Sequence, residues 1–419
     1  MQIKLKLHWQ IFIAMAVGTV IGLIFRTVYH GAPEGWLYGG IVSLGTIFIR
    51  LLKMVIIPLI FASIVTGVSS ITDGKSLGRL GSKTFLYYAI TSLFAIIIGL
   101  TLTNIFKPGV GVQMGSESTF DPSQLTTPGS PAEILIRMIP LNPVKAAATG
   151  DMLGIIFFAI FLGVVITRLN PKTRTYLNNI FVPVFEVMMK MTEMIIVLAP
   201  IGVLGLITKA VAQTGFGMFA AIGKYMLTIT AGLSIHLLIV LPLIFFIMTR
   251  KSPLLHYRAM ASAMATAFST SSSNATLPVT MKCVEENAGV SNRISSFTLP
   301  LGATINMDGT ALYECAGVLF ISQVLGIELS FSQQFIVVIT ALLASIGAAG
   351  IPSAGLVMIF IVTQAVGFKD ADVALIVGTM LSVDRPLDML RTMVNISSDS
   401  VGAAVIAVSE GEKDLYKKM

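Results

Sequence analysis

The chain has 419 residues, of which 55% are hydrophobic and 12% charged, with a mean hydropathy of +0.86; soluble domains carry about twice that charged fraction. That excludes an ordinary soluble domain and points to a polytopic membrane protein. The formal net charge of +7 would fit a nucleic-acid binder in a soluble chain, but here Lys and Arg lie mainly in short connections between apolar runs. There they report topology, and no nucleic-acid partner is expected.

In chain order, the N-terminus "MQIKLKLHWQIFIAMAVGTVIGLIF" has a basic start and an apolar run, as a signal peptide would. No small-residue cleavage site follows, so it reads as a retained first helix. Apolar segments long enough to cross about 30 Å of hydrocarbon are expected near residues 9–26, 39–70, 84–106, 151–168, 178–208 and 218–248. The basic connections alternate: Lys4 and Lys6; Lys75, Arg79 and Lys83 with Asp73; Arg168, Lys172 and Arg174; Arg250 and Lys251. The positive-inside rule puts these, and both termini, on the cytoplasmic side. Residues 108–131, rich in Gly, Pro and Ser, read as an outside loop. Cys283 and Cys315 form no CxxC pair, and the histidines at 8, 30, 236 and 256 are scattered, so neither a zinc site nor a disulfide framework is expected.

Beyond residue 250 the apolar runs shorten and are interrupted by small polar residues and proline. "STSSSNATLPVT" (269–280) and "ASIGAAGIPSAG" (344–355) are two such interruptions, each flanked by roughly half a span of apolar sequence. Irregular backbone is tolerated at membrane depth only where protein encloses it, so both predict re-entrant hairpins, over 253–289 and 331–368. Each hairpin precedes a helix with a polar centre, over 293–322 and 371–408. A hairpin and polar helix occurring twice is the kind of repeat that marks a transporter site near the bilayer midplane. The division that follows is 1–250 as mainly scaffold and 251–419 as the chemically active part.

The last helix carries Asp388, Arg391, Asn395 and Asp399 at intervals of three, four and four, with Thr392 beside them. Such residues share one helical stripe. An ionised side chain at a helix centre costs about 2.5–3.5 kcal/mol on insertion scales, so the stripe faces an interior site. The bland alternative is an Asp388–Arg391 pair that pins the bundle. The functional one gives Arg391 a substrate carboxylate, held by its planar fork, Asp388 an α-ammonium group, and Asp399 a cation. In "TINMDGTALYECAG" (304–317), Gly309 should loosen the helix and free carbonyls near Asn306, leaving Asp308 as a hard oxygen donor for an alkali cation. Tyr88, Thr91 and Ser92 read as helix-packing hydroxyls unless the fold brings them to Asp308.

"SSSNATLP" (271–278), "NMDGT" (306–310), "GAAGIPSAG" (347–355) and "DMLRTMVNISSD" (388–399), in this order, closely resemble the glutamate/aspartate and neutral amino-acid transporters, the dicarboxylate/amino acid:cation symporters. The resemblance runs from the first helix to residue 408. It implies an all-α membrane fold of eight transmembrane helices and two re-entrant helical hairpins, assembled as a homotrimer in the plasma or bacterial inner membrane. A scaffold would hold an elevator-type transport domain, which helix 84–106 and part of 218–248 would join.

It also implies substrate contacts from Ser273, Ile351 and Gly355 at the hairpin tips, Thr310, Asp388, Arg391, Thr392 and Asn395. Three sodium sites follow in the same way: carbonyls of Gly302, Asn306 and Asn395 with the Asp399 carboxylate; carbonyls of Thr304, Ser345, Ile346 and Ala348; and Tyr88, Thr91, Ser92, Asn306 and Asp308. No organic cofactor is implied. Arg391 goes with acidic amino acids. Two departures from the pattern stand out: Asn274 replaces a serine, and neither Ser271 nor Met389 is the extra arginine that members place near the site, a role left to Arg385. Glu314, one turn beyond Thr310 on a stripe with Asn306 if the helix continues, matches the position associated in vertebrate members with proton cotransport and potassium countertransport.

The leading expectation is therefore a sodium-driven symporter of L-glutamate or L-aspartate, with no covalent chemistry. A C4-dicarboxylate or neutral amino-acid carrier, coupled to protons or sodium, is the alternative, and an ion channel a further one, since polar hairpins also build selectivity filters. An intramembrane protease would use Asp308 with Asp388, or a serine of "STSSS", but no histidine accompanies those serines and the Arg-Asp-Asn set would be unexplained.

Overall fold

A computed structural model of the chain describes residues 7–29, 35–69, 75–111, 136, 139–149, 151–214, 217–347, 354–368 and 370–416. Among them there are helices and no strand. The first half holds α1 (Leu7–Val28), α2 (Trp36–Ser69), α3 (Lys75–Phe106), α4 (Pro143–Thr149), α5 (Met152–Thr167), α6 (Pro171–Ile196) and α7 (Ala199–Thr214). Then come α8 (Gly217–Ile235), a π turn (His236–Val240) and α9 (Leu241–Thr249), which together make one apolar span, Ala220–Thr249. Trp9–Val28, Trp36–Ser69 and Arg79–Phe106 are also long and apolar enough to cross a membrane.

Polar side chains start several of these helices. Asp151 accepts from Gly154 N before α5, and Asn170 accepts from Thr173 N before α6, whose first residue is Pro171. Each occupies an amide that the first helical turn leaves without a partner. The segment expected as one span over 178–208 is instead two helices, α6 and α7, bent by 55°. Pro200 is the physical reason: it lacks an amide proton, and its ring excludes the carbonyl of Ile196, where α6 ends.

The first hairpin is α10 (Pro253–Thr270) and α11 (Ser273–Lys282), closed by a π turn (Cys283–Asn287). Its tip is one residue of left-handed backbone, Ser271 at φ 54, followed by Ser272, whose hydroxyl accepts from Ala275 N to cap α11. The second hairpin is α14 (Phe331–Gly347) and α15 (Ala354–Val366); its tip at 348–353, with Ala348 and Ile351, lies outside the described residues. Between the hairpins the polar helix is broken into α12 (Asn292–Ile305) and α13 (Asp308–Val324), and the chain closes with α16 (Asp370–Ser409).

That break corrects the sequence expectation. It falls at Asn306 (φ −98, ψ 95) and Met307, not at Gly309, which lies in the first turn of α13. Gly309 serves close approach instead: a β-carbon there would stand 2.8 Å from Arg391 O and 2.9 Å from its Cα. Asn306 therefore leaves the stripe, and only Thr310 and Glu314 share a face of α13.

Packing falls into two groups. α1 and α2 pack on α7, and α2 also packs on α5 and α6. α13 packs on α3, α15 and α16, while α10, α12 and α9 pack on α16. The groups meet where α16 touches α7, α14 touches α2, and α15 touches α5.

Candidate functional site

The polar stripe of α16 meets the start of α13 in the interior of the second group. Arg391 is fully buried, and its Nη2 donates to Asp388 Oδ1 at 2.7 Å and to Asp384 Oδ1 at 3.0 Å. The guanidinium carbon lies 3.8 Å from the centroid of Tyr313, a favourable cation–π geometry. Nε and Nη1 have no hydrogen-bond partner among the described residues. Gly355, at the start of α15, lies against Nη1 so closely that a β-carbon would overlap it.

Of the other expected contacts, Gly355 touches the guanidinium, and Asn395 and Thr310 meet one another. Asn395 accepts from Gly309 N at 2.8 Å and donates to Thr310 Oγ1 at 3.3 Å. Thr392 spends its hydroxyl on Asp388 O, and Ser273 is buried next to the hairpin tip. Arg385 does turn towards the centre: Nη1 stands 3.9 Å from Asp388 Oδ2, on a side chain that keeps 24% exposure. Asn274 is half-buried. Glu314 is buried, and neither carboxyl oxygen has a partner among the described residues.

A second centre adjoins the first across the α12–α13 break. Asp308 Oδ1 accepts from Ser92 at 2.6 Å and from Thr91 at 3.3 Å, so the fold does bring the α3 hydroxyls to this carboxylate. Asp308 also starts α13, where the aligned amide dipoles favour an anion. Tyr88 spends its hydroxyl on Thr298 O at 2.8 Å. Asn306 donates to Asp399 Oδ1 at 2.9 Å and to Ser398 Oγ at 3.0 Å, and its own Oδ1 is buried without a partner among the described residues. Gly302 leaves room for this approach: a β-carbon would overlap Asp399 Oδ1 and stand 2.7 Å from Tyr88 Oη.

Hydroxyl, amide and carboxylate oxygens with a spare buried acceptor suit a hard cation. Thr304 and Ser345 bond back into their own helices through their hydroxyls, at the ends of α12 and α14, which pack together and leave Ile346 half-buried.

Four residues here escaped the sequence reading. Asp384 extends the stripe one turn before Asp388, an i, i+4 signal that was legible. Ser398 lies between stripe positions, and Tyr313 carries no periodic signal. His236 is not scattered: its Nε2 lies 2.9 Å from Asp308 Oδ2, and both side chains are fully buried. A lone imidazole inside the apolar run 218–248 was the available clue.

A model of the sodium:dicarboxylate symporter family matches residues 7–409. Excitatory amino acid transporter 3 of Mus musculus is 36% identical over 456 residues, covering 96% of this chain and 86% of the relative. The proton/glutamate-aspartate symporter of Escherichia coli K12 is 34% identical over 426 residues, covering 100% of this chain and 96% of the relative. An excitatory amino acid transporter of Caenorhabditis elegans is 34% identical, with 97% of this chain covered and 88% of the relative. The motifs, the paired hairpins and these matches along nearly the whole length make the chain a member of the sodium:dicarboxylate symporter family, a multi-pass membrane transporter and not an enzyme.

Proposed function

We propose that the chain is a secondary active symporter of acidic amino acids, L-glutamate or L-aspartate, driven by a sodium gradient. The observation that carries this is Arg391, a buried cation with Nε and Nη1 unspent among the described residues, flanked by Asp388, Thr310 and Asn395. A guanidinium so placed favours a carboxylate on the substrate, and Asp388 an ammonium group. The Escherichia coli relative is named for glutamate and aspartate, and the mouse relative for excitatory amino acids. The three oxygen-lined sets around Asp308, around Asp399, and between the ends of α12 and α14 are the sodium sites of this reading. Ser273, Thr310, Gly355, Asp388, Arg391, Thr392 and Asn395 are its substrate contacts; from outside the described residues Ile351 joins these contacts, and Ala348 joins the sodium set between α12 and α14.

The division into an elevator-type transport domain, built from α3 and α8–α16, and a scaffold of α1, α2 and α5–α7 follows the packing groups. Ile180, Val184, Val187 and Met194 of α6 are exposed apolar residues, a surface that suits lipid as well as the subunit contact of a homotrimer. The reading keeps both termini cytoplasmic, as the basic connections indicate.

A second coupling is favoured by Glu314. Both of its oxygens are buried without partners among the described residues, so it is the acid at hand to exchange a proton or potassium during the cycle, and the Escherichia coli relative is named for protons. The test is uptake of radiolabelled L-aspartate and L-glutamate into proteoliposomes under an inward sodium gradient, with internal potassium present or replaced by choline. Concentrative uptake that needs sodium supports the carrier. A further need for internal potassium, lost in Glu314→Gln, supports the coupling role. Uptake proportional to concentration without saturation would point to a channel.

A further inference from the structure

We propose that His236 is a positioning residue for the cation site, holding the Asp308 carboxylate so that Oδ1 faces the α3 hydroxyls. The contact is between two fully buried side chains, Nε2 to Oδ2 at 2.9 Å. A carboxylate oxygen accepts, so Nε2 is the donor in this contact, while Nδ1 has no partner among the described residues. The ring's one hydrogen bond is thus spent on Asp308. Ser92 and Thr91 occupy the opposite oxygen, so the carboxylate plane is fixed from two sides.

The ring is itself held. His236 opens the π turn that interrupts the span Ala220–Thr249, and the amide of Leu241 bonds to His236 O across that turn. Tyr257 of the first hairpin donates to the next carbonyl, Leu237 O. A π turn shifts the facing of residues relative to a continuous α-helix, a distortion frequent at functional sites. Partners that orient a ligand's far side govern metal affinity without touching the ion.

This inference rests on Asp308 being a cation ligand, and the test separates the two. Purified protein is titrated with sodium chloride at constant ionic strength, with choline as the replacement, and the rise in Tm is followed for wild type, His236→Met and His236→Gln. Methionine fills the ring's volume without a donor, whereas glutamine keeps an N–H. The sodium concentration giving half the rise should increase by about tenfold or more in His236→Met and stay within about threefold of wild type in His236→Gln.

A purely structural role would lower Tm in choline and leave the half-saturation where it was, and that outcome overturns the proposal. So do equal shifts in the two variants. If His236→Met yields no folded protein, the ¹⁵N resonances of the wild-type ring, assigned through their loss in His236→Gln, should move with sodium and not with choline. Resonances indifferent to sodium overturn the proposal. Wild-type protein for which sodium and choline are equivalent overturns the cation-site reading, and the inference with it.

Discussion

Gly355 and Arg391 are in contact through the guanidinium: the backbone at the start of α15 lies so close to Nη1 that no β-carbon fits between them. The end of an arginine can ordinarily swing aside. This one is tied by Nη2 to Asp384 and Asp388 and lies over Tyr313. Gly355→Ala should therefore displace the guanidinium or lift α15 from it. KM for L-aspartate is expected to rise by about tenfold, a loss of about 1.4 kcal/mol, with the sodium requirement unchanged. An unaltered KM would show that the contact does not bear on substrate.

On the proposed function, Asp388 would separate amino acids from plain dicarboxylates. Its Oδ1 accepts from Arg391 at 2.7 Å, and its charge would attract an ammonium group and repel a substrate without one. In Asp388→Asn, L-aspartate uptake should fall by at least about a hundredfold, as for a charge pair broken in a buried site. Succinate uptake should not fall with it. Retained aspartate affinity would refute the ammonium role.

Gly302 abuts the proposed cation region with no space for a side chain. A β-carbon there would overlap Asp399 Oδ1 and come within 2.7 Å of both Asp399 Cγ and Tyr88 Oη. Gly302→Ala is expected to raise the sodium concentration for half-maximal uptake by about tenfold while KM for substrate at saturating sodium changes by less than about threefold. Sodium titrations of uptake check it, and equal effects on both constants would mean a general distortion.

Glu410, just beyond α16, gathers Arg79 (2.8 Å), Lys83 (2.7 Å) and Arg293 (3.3 Å), tying α16 to α3 and to the start of α12. Hydrogen bonds from Arg79 and then Lys83 hold its carboxyl down at about 2, from an ordinary value of 4.5. Because the folded value lies below the unfolded one, the stabilisation is complete above the ordinary carboxylate range and is lost as pH falls towards 2. Glu410→Gln should lower Tm at neutral pH by a few degrees and flatten the acid limb between pH of about 4.5 and 2. High salt should shrink the difference, since Arg79 and Arg293 are largely exposed. Melting curves across pH, at two salt concentrations, provide the check.

Much of this molecule is legible locally. Apolar runs marked the long helices, and the small-residue stretch with Pro278 marked the first hairpin. The intervals between Asp388, Arg391, Asn395 and Asp399 placed a polar stripe on α16, because residues three and four apart must share a helix face. Pro200 was equally visible, yet 178–208 read as continuous: hydropathy reports what a segment buries and is blind to a bend. The break at Asn306 was expected at Gly309 for a related reason. Glycine permits a distortion without requiring one, and here Gly309 instead lets α13 lie against the backbone of α16.

What the sequence by itself determined was the class of the protein, its polar helices and the residue types of its site, since these follow from composition and periodicity along the chain. Only the tertiary structure decided which groups meet. It set Tyr313 of α13 against the Arg391 guanidinium, Ser92 beside Asp308 across 216 residues, and His236 on the far oxygen of the same carboxylate. Those pairings are made by helices packing side by side, and no spacing in the chain encodes the distance between two helices that are far apart in sequence.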